Sequence, residues 1–116
     1  MKGSENIIVK LTFDFALEII NYCETLEANK RFVIANQLLK SGTSIGTNVR
    51  EAQNAESKKD FIHKFKIAAK EIEETIYWLD LCHFSKSYPD CSHLKTQIQP
   101  ITKIINKIII SSKLNN

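Results

Sequence analysis

Lysines are the residues with the clearest chemical capacity in this 116-residue chain. Five lysines and one aspartate fall between residues 57 and 70, and residues 91–116 hold four lysines and no acidic residue. Clustered ammonium groups attract phosphates and displace their counterions, so this pattern indicates nucleic-acid binding. The candidate nucleic-acid-binding residues are Arg50, Lys58, Lys59, Lys66, Lys95, Lys103 and Lys107.

The same lysines have a simpler alternative explanation, in which they only solvate the exposed faces of helices. Arginine is limited to Arg31 and Arg50, and no aromatic residues alternate with the lysines as they do in single-strand binders. Any binding is therefore expected to be independent of base sequence.

Catalytic and metal-binding patterns have little support. Cys82 with His83 and Cys91 with His93 bracket one turn, but their spacing differs from the usual zinc pairs, and neighbours on a helix point about 100° apart. No GxSxG or other nucleophile motif is present. We expect no enzyme activity, no catalytic residues, no metal and no cofactor.

Composition limits the class of protein further. Hydrophobic residues make up 43% and charged residues 25%, as in globular proteins, and the length predicts one domain over residues 1–116. Three cysteines without a CxxC pair favour a reducing compartment. The densest apolar run is far short of the roughly 20 residues that span a bilayer. The sequence thus predicts a cytoplasmic protein without a membrane segment.

Apolar residues recur every three or four positions along most of the chain, which predicts four amphipathic helices. The first covers about residues 6–27 and has an apolar face wide enough to be buried on two sides, in a bundle or at an oligomer interface. The third follows Ser57, an N-cap candidate with Asp60 three positions later. The fourth starts near Ser92, unless Pro100 marks its first turn or kinks it. Short connections predict an all-α, up-down-up-down antiparallel four-helix bundle.

The segment from Lys40 to Asn54 is the least regular part of this pattern. Its glycines, serines and threonines are poor helix formers, so a loop between Lys40 and Asn48 is one interpretation. The unbroken apolar phase favours one long helix, whose small residues admit a neighbouring backbone. We assign helix packing or assembly to Gly42, Ile45, Gly46, Asn48 and Val49, with Asn48 as a buried polar anchor. Gly46→Leu is expected to disrupt folding or assembly.

Three consecutive segments carry a family likeness: LKSGTSIGTNVREAQ at 39–53, DFIHKFKIAA at 60–69 and KEIEETIYWLDL at 70–81. They resemble the four-helix-bundle protein family that is also called the 23S rRNA intervening-sequence protein family. Val49, Arg50 and Ala52 depart from the commoner residues of its pattern and indicate a subgroup.

This resemblance implies an unbroken second helix and a pentameric ring of identical bundles, with no enzymatic activity or cofactor. A similar fold occurs in accessory proteins of diversity-generating retroelements, which associate with a reverse transcriptase and nucleic acid. Our leading hypothesis is a non-enzymatic homopentameric scaffold that binds RNA or DNA through lysines of the third and fourth helices. The alternative is an adaptor for a protein such as a reverse transcriptase, without direct affinity for nucleic acid.

Overall fold

Four helices account for most of the computed structural model, which describes the backbone of residues 3–115 and the side chains of residues 7–115. They are α1 (Gly3–Ala28), α2 (Phe32–Ala52), α3 (Lys58–Phe84) and α4 (Ser92–Leu114). Each packs against the next, α4 closes against α1, and the backbones of the diagonal pairs do not approach each other closely. The predicted all-α up-down-up-down bundle is confirmed, and it measures 49 × 20 × 19 Å.

The segment from Lys40 to Asn54 is helical as far as Ala52, so α2 is the continuous helix that its apolar phase predicts. Hydroxyl side chains in this segment donate to carbonyl oxygens one turn earlier: Thr43 to Leu39 at 2.7 Å, and Ser44 to Lys40 at 2.7 Å. Because these bonds stay within the helix, the hydroxyls do not draw the backbone into a turn.

The glycines of α2 lie where α1 comes closest. A Cβ added at Gly42 would lie 2.9 Å from both Cγ1 and Cγ2 of Ile19, and one at Gly46 would lie 3.3 Å from the carbonyl oxygen of Thr12. Ile45 and Val49 are fully buried in the same core. The close approach offsets the lower helix propensity of glycine, which costs about 1 kcal/mol relative to alanine.

The buried polar contact between helices differs from our expectation for Asn48. Asn48 is only half-buried, and its amide donates within α2 to the Ser44 carbonyl oxygen at 2.9 Å. The contact is made instead by Ser41 of α2 and Thr75 of α3, both buried, whose hydroxyl oxygens are 3.0 Å apart. The Thr75 hydroxyl also lies 2.8 Å from the Glu71 carbonyl oxygen.

The helix ends follow local rules. Ser57 caps α3, with its hydroxyl accepting from the backbone N–H of Asp60 at 3.0 Å, as predicted. At the end of α1, Lys30 adopts a left-handed conformation with φ 61°, and the N–H of Arg31 bonds to the Leu26 carbonyl in a Schellman motif. α4 begins at Ser92, so Pro100 lies in its interior rather than in its first turn.

Candidate nucleic-acid interface

A basic groove lies between the first half of α3 and the end of α4. It has a volume of about 360 Å³ and is lined by Lys59, Ile62, His63, Lys66 and Lys113. None of these five is acidic. Lys59, His63 and Lys66 are exposed, and their spacing of four and then three residues places them on one face of α3. Lys113 reaches the groove because antiparallel packing brings the end of α4 beside the start of α3. We call this surface the basic groove.

Two further lysines near the start of α3 already form polar contacts within the chain. The Lys58 ammonium donates to the backbone carbonyl oxygen of Asn115, which ties α3 to the chain beyond α4. Lys64 forms an ion pair with Glu51 of α2 at 3.0 Å. Lys58 therefore lies at the same end of the bundle as the basic groove but does not line it.

The other predicted residues lie elsewhere. Lys95 pairs with Asp80 at 3.1 Å, near the start of α4. Lys107 lines a separate groove with Ile7 of α1 and Phe61 of α3, and Lys103 is exposed one turn earlier on α4. Of the seven predicted nucleic-acid-binding residues, the structure thus brings only Lys59 and Lys66 into one groove.

Arg50 belongs to a third groove, between α1 and α2. Its guanidinium carbon lies 5.8 Å from the centre of the Phe13 ring, a distance at which a cation and an aromatic face attract each other. The groove has a volume of about 340 Å³ and is also lined by Gly46, Thr43 and Thr47. Glu51 also lines this groove, so its carboxylate offsets the charge of Arg50 and makes the groove a poor phosphate site.

Three members of the basic groove were absent from the predicted set: the apolar Ile62 and the two polar residues His63 and Lys113. His63 lies between Lys59 and Lys66 at helical spacing, so periodicity was sufficient to find it. Lys113 has no such local signal, because its position depends on where α4 ends relative to α3.

The cysteines form a buried group rather than a reactive site. Cys23, Cys82 and Cys91 are free and buried. Desolvation, together with the neighbouring Cys82 and Glu27, raises the pKa of the Cys23 thiol to about 12. Burial also raises the pKa values of Cys82 and Cys91. Because the thiolate is the nucleophilic form, these thiols are poorly reactive at neutral pH.

Tyr22 closes over the same region. Its hydroxyl donates to the Pro89 carbonyl oxygen at 2.7 Å, and burial, followed by the nearby thiols, raises its pKa far above the usual value. His83 and His93, the other half of the sequence pattern, are exposed. Among the residues that the structure describes, no three metal-ligating side chains are grouped as an ion would require.

Comparison with known proteins gives the family. The family model described as 23S rRNA-intervening sequence protein matches residues 4–107. The chain belongs to this family. A solved structure from Bacteroides thetaiotaomicron, a protein of unknown function from the S23 ribosomal protein family, is 37% identical. The match covers 92% of this chain and 98% of that one, with a TM-score of 0.84. No curated protein sequence matches the chain.

The family membership confirms the likeness read from residues 39–81, and the solved relative shares the four-helix fold. In the part of the chain that the structure describes, no helix is long and apolar enough to cross a membrane.

Proposed function

We propose that this family member is a non-enzymatic, homo-oligomeric scaffold that binds RNA or DNA through the basic groove. The observation that carries the proposal is the convergence of three lysines and a histidine from two helices on one groove without an acidic lining residue. Such a surface neutralises phosphates without reading bases, and its affinity comes mainly from the release of counterions. The residue types favour a sequence-independent mode, since neither bidentate arginines nor stacking aromatics line the groove.

Assembly into a pentamer, which the family likeness implies, would raise the affinity of this small groove for nucleic acid. One groove offers three permanent positive charges, and a ring repeats it at regular intervals around the assembly. A strand that contacts several grooves binds with an effective concentration set by the spacing of the subunits, so avidity exceeds the affinity of a single groove. We place this scaffold in the cytoplasm, because three free, buried thiols suit a reducing compartment.

A salt titration tests the proposal. Binding of single-stranded RNA and DNA oligonucleotides is measured by fluorescence anisotropy between low and physiological salt, with wild type and with Lys59→Glu, Lys66→Glu and Lys113→Glu. Each variant should weaken binding to all sequences alike and reduce the slope of log affinity against log salt by about 1. Lys86→Glu is the matched control, because Lys86 is exposed in the connection between α3 and α4, at the opposite end of the bundle.

The same titration separates the alternatives. Loss of binding in a Lys103→Glu and Lys107→Glu double variant, with the basic groove unchanged, would move the site to the α4 face that carries these lysines. No measurable binding at low salt would refute nucleic-acid binding and favour the adaptor hypothesis, in which a protein such as a reverse transcriptase is the partner.

A further inference from the structure

Two sets of three exposed apolar side chains form stripes along helices of the single chain. On α1, Phe13, Leu17 and Ile20 are 51%, 48% and 38% exposed. On α3, Tyr77, Leu81 and Phe84 are 57%, 38% and 80% exposed. Residues at these spacings lie on one side of a helix, so each set is a continuous strip. We call them the α1 stripe and the α3 stripe. Contiguous exposed apolar side chains of this kind mark interaction surfaces.

The two stripes cannot cover each other within one chain. Phe13 lines the groove between α1 and α2 with Thr43 and Thr47, so the α1 stripe borders that side of the bundle. α3 is diagonal to α1, and the two helices meet only through core side chains such as Tyr22 and Cys82, away from both stripes. Neither stripe is therefore covered by the other within the single chain.

The stripes match each other in spacing and in charge. Lys10, Phe13, Leu17 and Ile20 follow steps of three, four and three residues, and Glu74, Tyr77, Leu81 and Phe84 repeat the same steps. With the two helices side by side in the same direction, the apolar residues pair in order and Lys10, which also pairs with Asp14 on its own helix at 2.8 Å, faces Glu74. Arg50, which lies over Phe13, adds a positive charge at the end of the α1 stripe that meets Glu73 and Glu74.

The opposite direction is disfavoured by charge. If the helices ran antiparallel with the same apolar residues in contact, Glu24 of α1 would face Glu73 and Glu74 of α3. Like charges brought together at an interface cost free energy and suppress that arrangement. The parallel register has opposite charges at the same place.

We propose that the occupant is a second copy of this chain: the α1 stripe of one copy packs in parallel against the α3 stripe of the next. This inference rests on the proposed homo-oligomer and assigns its interface. The two surfaces in this contact differ, so a pair of copies still has one unused α1 stripe and one unused α3 stripe. Further copies can add through these stripes, and the assembly closes into a ring when the rotation between neighbouring copies allows it. The basic groove lies on α3 before Glu74, so this contact leaves it open to nucleic acid.

Complementation between two single variants tests the interface. Leu17→Asp removes the α1 stripe and Leu81→Asp removes the α3 stripe, and each alone should convert the assembly to monomers by multi-angle light scattering. An equal mixture of the two should give a dimer of one copy each and nothing larger, because only one intact α1 stripe and one intact α3 stripe remain. Val33→Asp, at a position that is 80% exposed and outside both stripes, should keep the wild-type mass.

Further variants test whether the stripe substitutions leave the fold intact and whether the two helices pack in the parallel register. Phe84 is 80% exposed, so Phe84→Asp should dissociate the assembly without disturbing the core, and circular dichroism should retain the wild-type helix content. Lys10→Glu and Glu74→Lys should each weaken assembly at low salt, and a chain carrying both should recover it.

Each contrary result has a distinct meaning. An oligomeric wild type whose mass neither stripe variant changes would overturn this interface and leave the homo-oligomer intact. Dissociation by Leu17→Asp but not by Leu81→Asp would overturn it in favour of an α1 contact with its own copy. A monomeric wild type would overturn both the interface and the oligomeric part of the proposed function.

Discussion

Gly42→Ala is a direct test of the close approach between α2 and α1. The new Cβ would lie 2.9 Å from two carbons of Ile19 and 3.0 Å from a third, Cδ1. Ile19 is fully buried, so its side chain has no solvent into which it can turn. The clash competes with the better helix propensity of alanine, and the magnitudes decide which effect is larger.

Replacing a glycine with alanine inside a helix stabilises it by about 1 kcal/mol. Forcing an extra methyl group into a packed core costs about 1–3 kcal/mol. Gly42→Ala should therefore lower the free energy of unfolding by about 0–2 kcal/mol, the difference of these two terms. Ile19→Ala alone should lower it by about 2–5 kcal/mol through the cavity that it leaves.

The double variant separates the steric term from propensity. Alanine at position 19 lacks all three carbons that a Cβ at residue 42 would meet, so the clash disappears and the new methyl group fills part of the cavity. The double variant should then be more stable than the sum of the single effects predicts, by about 2 kcal/mol. Urea unfolding at one protein concentration measures all four free energies, with the m-values compared to confirm one transition.

Gly46→Ala provides the matched control. Its Cβ would meet the Thr12 carbonyl oxygen at 3.3 Å, a backbone atom that no substitution at Ile19 removes. Gly46→Ala and Ile19→Ala should therefore be additive within about 0.5 kcal/mol. Additivity of the Gly42 pair within the same margin would refute the steric explanation, as would a Gly42→Ala variant that gains the full propensity of alanine.

Three other predictions follow from particular contacts. Thr75→Val leaves the buried Ser41 hydroxyl without its partner on α3 and should cost about 1–2 kcal/mol in urea unfolding, and adding Ser41→Ala should recover part of the loss. Lys30→Gly relieves the left-handed backbone at φ 61° and should stabilise the protein by about 0.5–1 kcal/mol in thermal unfolding, whereas Lys30→Ala should not. Cys23 has an ordinary pKa of 9.0, raised to about 12 on folding, so it ionises first in the unfolded chain. Its contribution to stability should be complete below pH 9 and decline as the pH rises towards 12, and Cys23→Ala should show a shallower decline in the urea midpoint.

Local signals in the sequence were sufficient for the helices and their ends. The apolar phase through Gly42 and Gly46 predicted a continuous α2, and the Ser57 hydroxyl caps α3 as its spacing to Asp60 indicates. Both features depend on neighbours within one turn, so a single sequence contains the information. The serines and threonines of α2 argued against a helix because average helix propensities rank them low. Those averages do not show that here their hydroxyls bond to carbonyl oxygens one turn earlier and remain compatible with the helix.

Contacts between helices were harder to predict, because they depend on which side chains of the neighbouring helix lie opposite each residue. Ser41 and Asn48 are seven residues apart and so lie within about 20° of each other around α2, yet Ser41 meets the Thr75 hydroxyl of α3 whereas the Asn48 amide bonds within α2. Lys113 joins Lys59 only because α4 ends beside the start of α3. The apolar face of α1 was too wide for the bundle alone, and the excess is the exposed α1 stripe.

The order of the helices around the bundle has a consequence for its motions. α4 packs less extensively against its two neighbours than α2 does against its own, and Pro100 removes one backbone hydrogen bond from its interior. The least costly partial unfolding is therefore detachment of α4, and its amides should exchange with solvent hydrogen faster than those of α2. The proposed contact between copies uses α1, α2 and α3 and leaves α4 unrestrained. In a closed ring, α1, α2 and α3 of each subunit would then stay in place while α4 detaches and repacks independently in each subunit.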